Sequence, residues 1–116
     1  MVLIAQISDC HIRDHDSDVG RLVDTTETLG WVVDHLLALE PAPDVILATG
    51  DLTDDGTPGQ YTILRDLLAP IAERIVPLPG NHDEGPAFRH AFADLLPADV
   101  ADDHCSYVVD RHPVRL

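Results

Sequence analysis

Residues 44–54, DVILATGDLTD, decide the fold. The first half is a short apolar run of the kind that forms a buried strand. The second half turns polar at Gly50, whose freedom lets the backbone turn sharply just before Asp51. The same change from apolar run to polar loop occurs twice more. Residues 2–8 lead into Asp9-Cys10-His11, and residues 75–78 lead through Pro79 into Gly80-Asn81-His82-Asp83.

Helical patterns fill the gaps. Over residues 21–39 the apolar positions Leu22, Leu29, Val32, Val33, Leu36 and Leu37 make a helical stripe, weakened by Gly30 and ended by Glu40-Pro41-Ala42-Pro43. Thr57 is placed to cap a second helix with Pro58 in its first turn. That helix carries Tyr61, Leu64, Leu68 and Ile71, and Pro70 ends or kinks it near Leu68. A third starts at Pro86 and runs to Pro97, with Phe88, Ala91, Phe92 and Leu95 on one face. Beyond it lie an acidic loop (residues 99–104), a weakly alternating strand (105–109), a turn (110–113) and the start of another strand (114–116). Strand and helix in alternation imply right-handed β-α-β units, a mostly parallel sheet and an α/β fold.

The 116 residues suit one modest domain, and the 45% hydrophobic content supports a packed core. No apolar run is long enough to span a membrane, and the N-terminus lacks the basic segment of a signal peptide. A formal net charge of −14 would repel nucleic acid and anionic lipid. The two cysteines, Cys10 and Cys105, give little reason for a disulfide, so the expected setting is reducing and cytoplasmic.

In an open α/β sheet the carboxyl ends of the strands share one edge, and ligands bind there. The three polar signatures therefore bring Asp9, His11, Asp51, Asn81 and His82 together. Carboxylate, imidazole and amide oxygen form a mixed donor set suited to Zn, Fe or Mn. Asp9 and His11 lie two apart, on one face of an extended backbone. A carboxylate such as Asp51 can bridge two ions about 3.5–4 Å apart, a separation that clamps a phosphoryl group. Cys10 reads as a small packed side chain, Trp31 and Tyr61 as core or boundary residues, and residues 14–18 as a solvated loop.

In order, Asp9-x-His11, Gly50-Asp51-x-x-Asp54 and Gly80-Asn81-His82-Asp83 resemble the calcineurin-like metallophosphoesterases. Residues 47–68 and the phrase VPLPGNHDEGPAFRHAFADLL resemble the subgroup that hydrolyses cyclic nucleotides and glycerophosphodiesters. The resemblance implies that Asp9 and His11 hold one ion, Asp51 bridges two, and Asn81 holds the second. His82 would contact the phosphate and assist the leaving group, while Asp54 and Asp83 support the loops. A metal-bound hydroxide would attack a small-molecule phosphodiester.

The family also draws on an isolated His and a Gly-His-x-His pair, and no Gly-His-x-His occurs in this sequence. His15, His35, His90, His104 and His112 lack a motif context. The expected fold is thus the first β-α-β-α-β half of a four-layer α/β/β/α sandwich, with residues 1–116 as the N-terminal portion of a single domain. The expectation that follows is a fragment of weak or absent activity, with an exposed apolar sheet face that favours self-association. A homo-oligomer is left open. The alternatives are a phosphomonoesterase or nuclease of the same superfamily, or a non-catalytic remnant binding a metal or a partner.

Overall fold

The computed structural model describes residues 1–14, 24–100 and 105–116. Strands and helices alternate along them as β1 (Ile4–Ile7), α1 (Thr25–Ala38), β2 (Val45–Thr49), α2 (Pro58–Leu68), β3 (Ile75–Leu78) and α3 (Gly85–Ala91). A 3-10 helix, Ala69–Arg74, joins α2 to β3. The sheet is parallel in the order β1-β2-β3, with Ile4 opposite Val45 and Ala48 opposite Pro77. This is the α/β unit that the alternation implies.

Side chains of a strand point alternately to its two faces. Ala5, Ile7, Ile46, Ala48 and Ile75 join one cluster with Leu29, Val33 and Leu36 of α1 and Tyr61, Leu64 and Leu68 of α2. Fully burying a side chain of this kind contributes about 1.5–3 kcal/mol. The alternate positions, Ile4, Gln6, Val45, Leu47, Thr49, Val76 and Leu78, make the other face. That face is apolar but for Gln6 and Thr49, where Gln6 Nε2 donates to Thr49 Oγ1 at 2.7 Å. Ile4, on the edge strand, is 40% exposed.

The helix ends follow local chemistry. The Asp24 carboxylate accepts from the backbone of Thr26 and Glu27 at the start of α1. Residues 21–23, expected in that helix, lie outside the described residues. Thr57 Oγ1 caps α2, Pro58 occupies its first turn, and the α-helix stops at Leu68 before Pro70.

Four expectations need correction. α3 ends at Ala91 and does not reach Pro97. Phe92 leaves the helical region (φ −112°, ψ 18°), and the Leu95 and Leu96 amides both turn onto its carbonyl at 2.9 and 3.0 Å. Residues 105–109 form no strand, because a strand needs a neighbour along its length. Here only Val109 and Leu116 exchange N–H···O bonds (2.9 and 3.1 Å), while the Tyr107 hydroxyl donates to the Pro77 carbonyl at 2.6 Å. Residues 114–116 start no strand for the same reason. Trp31 is 63% exposed and does not pack, since Leu29, Val33 and Leu36 take the buried face of α1.

Candidate metal centre

Parallel pairing continues past the strand ends and ties two of the loops together. Asp9 N–H donates to the Gly50 carbonyl (3.0 Å), His11 N–H to Asp51 (3.0 Å) and Ile12 N–H to Leu52 (3.1 Å). Gly50 N–H in turn donates to the Leu78 carbonyl at 2.9 Å, at the end of β3. Three non-glycine residues among those described take the left-handed backbone region: Asp9 (φ 55°), His11 (φ 44°) and Asp51 (φ 48°). Such conformations are uncommon for residues with a Cβ and persist only where surrounding structure imposes them. The same three residues converge. One ligand atom from each of Asp9, His11 and Asp51 lies within 4.8 Å of the others.

The third loop reaches this group from β3. A Cβ on Gly80 would collide with the backbone nitrogen and carboxylate of Asp51, so only glycine fits there. His82 N–H donates to Asp51 Oδ1 at 3.1 Å. Asn81 is exposed and lines, with Asp9, Gly50, Asp51 and Gly80, a hollow of about 380 Å³ at the sheet edge.

Asp83 fastens the second loop to the third. It is 9% exposed and accepts hydrogen bonds from Leu52 N, Thr53 N, Thr53 Oγ1, Tyr61 Oη and Gly80 N, at 2.9–3.1 Å. Tyr61, expected only to pack, is therefore also a hydrogen-bond donor to the loop network. Among the described residues no buried side-chain nitrogen or oxygen lacks a partner.

Asp54 serves two histidines. Its carboxylate lies 2.9 Å from His11 Nδ1, and its main-chain carbonyl 2.7 Å from His82 Nδ1. Ionised carboxylate and carbonyl oxygens only accept, so each Nδ1 carries the proton. His11 Nε2 is then left toward Asp51 Oδ2, 4.0 Å away. The two rings meet edge to face with centroids 4.8 Å apart. Hydrogen bonding from Arg13, and next in strength from His11, holds the Asp54 carboxyl below its ordinary pKa against the opposing effect of burial. The hydrogen bond to the Asp54 carbonyl, helped by the charges of Asp51, Asp54 and Asp55, raises His82 above its ordinary value.

The donors fit a borderline divalent cation: two carboxylates and an imidazole in one cluster, with an amide at the rim. Cys10 adds no thiolate. Burial, then the charges of Asp83 and Asp9, push its thiol up to about 11.

The family model for calcineurin-like phosphoesterases matches residues 2–112. The chain belongs to that family. It is 28% identical over 115 residues to a probable glycerophosphodiester phosphodiesterase, GpdQ, of Arcobacter nitrofigilis, covering 99% of this chain and 42% of that protein. It is 39% identical over 97 residues to the 3',5'-cyclic adenosine monophosphate phosphodiesterase CpdA of Pseudomonas aeruginosa, covering 82% of this chain and 36% of that protein. A 3',5'-cyclic-nucleotide phosphodiesterase of Nostoc sp. is 42% identical over 82 residues, covering 71% and 31% of the two chains. The chain thus spans well under half the length of these relatives.

Within this loop cluster, the sequence motifs do not mark Arg13. The backbone is left-handed at Asp9 and His11, not extended as their spacing suggested, so side-chain alternation does not announce Arg13; the parallel bridge of Ile12 to Thr53 sets it beside Asp54. His15 and His104 lie outside the described residues. No described helix is long and apolar enough to cross a membrane.

Proposed function

We propose that this chain supplies the first-sheet portion of a metal-dependent phosphodiesterase domain acting on a small phosphodiester. Asp9 and His11 would hold one cation and Asn81 a second, with Asp51 placed to serve both. One observation carries the reading: Asp9, His11 and Asp51, the described non-glycine residues in left-handed conformations, bring their ligand atoms within 4.8 Å of one another. A protein spends backbone strain where geometry matters more than stability.

The bound ions would supply charge neutralisation at a phosphoryl group and acidify a water. The chain's own residues do the positioning. Asp51 Oδ1 is held by His82 N–H, and Oδ2 is turned toward His11. His82, fixed through Nδ1, keeps Nε2 for a substrate or leaving-group oxygen. The relatives' names divide between glycerophosphodiester and cyclic-nucleotide substrates, and both belong to the proposed class. The charge of −14 favours a small molecule over nucleic acid. A reducing, cytoplasmic setting is part of the reading.

Among the described residues the second ion would have Asp51 and Asn81 alone, so it would bind more weakly than the first. The test compares Mn²⁺-dependent hydrolysis of bis(p-nitrophenyl) phosphate by this chain and by one extended through an isolated His and a Gly-His-x-His pair. The extended chain should turn over, this chain barely, and Asp51→Asn should silence both. Equal turnover by the two chains refutes the claim about the second ion. An Asp51→Asn protein as fast as its parent refutes the site.

A further inference from the structure

Arg13, which grips the carboxylate that meets His11, lies outside every motif that marks the site. Arg13 is half-buried, with 23% of its side chain exposed, and so is Asp54. Arg13 Nε donates to Asp54 Oδ2 at 2.8 Å, and its Nη2 reaches Asp54 Oδ1 at 3.4 Å. Asp54 Oδ1 is the oxygen that takes His11 Nδ1 at 2.9 Å. A forked contact of this kind fixes the plane of the carboxylate as well as its position. Without it, the carboxylate is free to rotate about its side-chain bonds, and His11 loses a fixed partner.

The backbone explains why Arg13 is available. Ile12 bridges in parallel to Thr53, and Asp54 N–H donates to the Ile12 carbonyl at 3.0 Å. This pairing sets residue 13 beside residue 54 even though 41 positions separate them in sequence.

We propose that Arg13 is a positioning residue of the metal centre. It clamps Asp54, which turns His11 Nε2 toward Asp51 and, through its main-chain carbonyl, holds His82. The metal part of this inference rests on the proposed function; the clamp itself does not. Outer-sphere partners of metal-bound histidines commonly matter by about 10–100-fold in affinity.

Two measurements on the whole chain test it. In metal-free protein near pH 8, ¹⁵N spectra of the His11 ring should show a single tautomer protonated at Nδ1. Arg13→Gln should convert that signal to a mixture, and Arg13→Lys, which keeps the charge but not the fork, should restore it only partly. Mn²⁺ titration followed by electron paramagnetic resonance should then show affinity at least about ten-fold weaker in Arg13→Gln. Arg65→Gln, which breaks a remote pair with Asp94, serves as the control and should leave both readouts unchanged. A His11 spectrum unaltered by Arg13→Gln overturns the proposal, as does undiminished Mn²⁺ affinity in that variant. If the parent chain takes up no Mn²⁺, the metal reading fails, and the tautomer spectra still decide whether Arg13 acts as a clamp.

Discussion

Asp83 and Asp9 sit within one loop cluster and place opposite demands on stability. Asp83 accepts five hydrogen bonds, three of them from backbone amides of two different loops. Asp83→Ala leaves those buried donors unpaired, and each unpaired group costs about 1–3 kcal/mol. Urea melts should therefore show a loss of at least several kcal/mol, while Tyr61→Phe, which removes one donor, costs about 0.5–1.5 kcal/mol. Asp9 is exposed and held at φ 55°. Asp9→Gly relieves that conformation and one negative charge. It should raise metal-free stability by about 1 kcal/mol while weakening Mn²⁺ binding, as melts with and without the ion would show. Gly80→Ala drives a methyl group into Asp51. The expected cost is about 1–3 kcal/mol of stability, with a matching loss of metal affinity.

At the scale of elements, the helices owe their limits to caps and prolines and their packing to a few large side chains. Tyr61 of α2 meets Phe88 and Phe92 edge to face, with centroids 6.3 Å apart in both cases. Arg65 lies over the Phe92 ring at 5.3 Å and pairs with Asp94 at 2.7 Å. These contacts draw Phe92 and Asp94 toward α2, which is why the apolar stripe of residues 86–97 overstates the length of α3. Thr57→Ala removes the cap of α2 and should cost about 1 kcal/mol in thermal melts. Gly30 lies in the middle of α1, and a Cβ there would touch nothing within 4 Å. Gly30→Ala should then stabilise the protein by about 0.5–1 kcal/mol, since only backbone entropy is at stake.

Over the whole molecule, the parallel sheet sets three loops at one edge, and the carboxylates gathered there repel one another, a repulsion that a bound cation would relieve. An ion that binds only the folded chain stabilises it by mass action, by about 2.7 kcal/mol at a hundred times its dissociation constant. Mn²⁺ should raise the melting temperature, a chelator should reverse the rise, and His11→Ala should abolish it. Much of this architecture was legible from the residues alone. Apolar runs that break into Gly-Asp and Gly-Asn dictate strand followed by loop, and their alternation with helical stripes dictates a parallel sheet, because both are local patterns of period and turn chemistry. The expected ligand positions follow from that topology. What residue order could not convey was whatever depends on partners distant in sequence. The failure of residues 105–109 to form a strand, the exposure of Trp31, the contact between Gly80 and Asp51, and the line from Arg13 through Asp54 to His11 are of this kind. Each arises from which surfaces meet after folding, and the chain acquires those neighbours only when the sheet assembles.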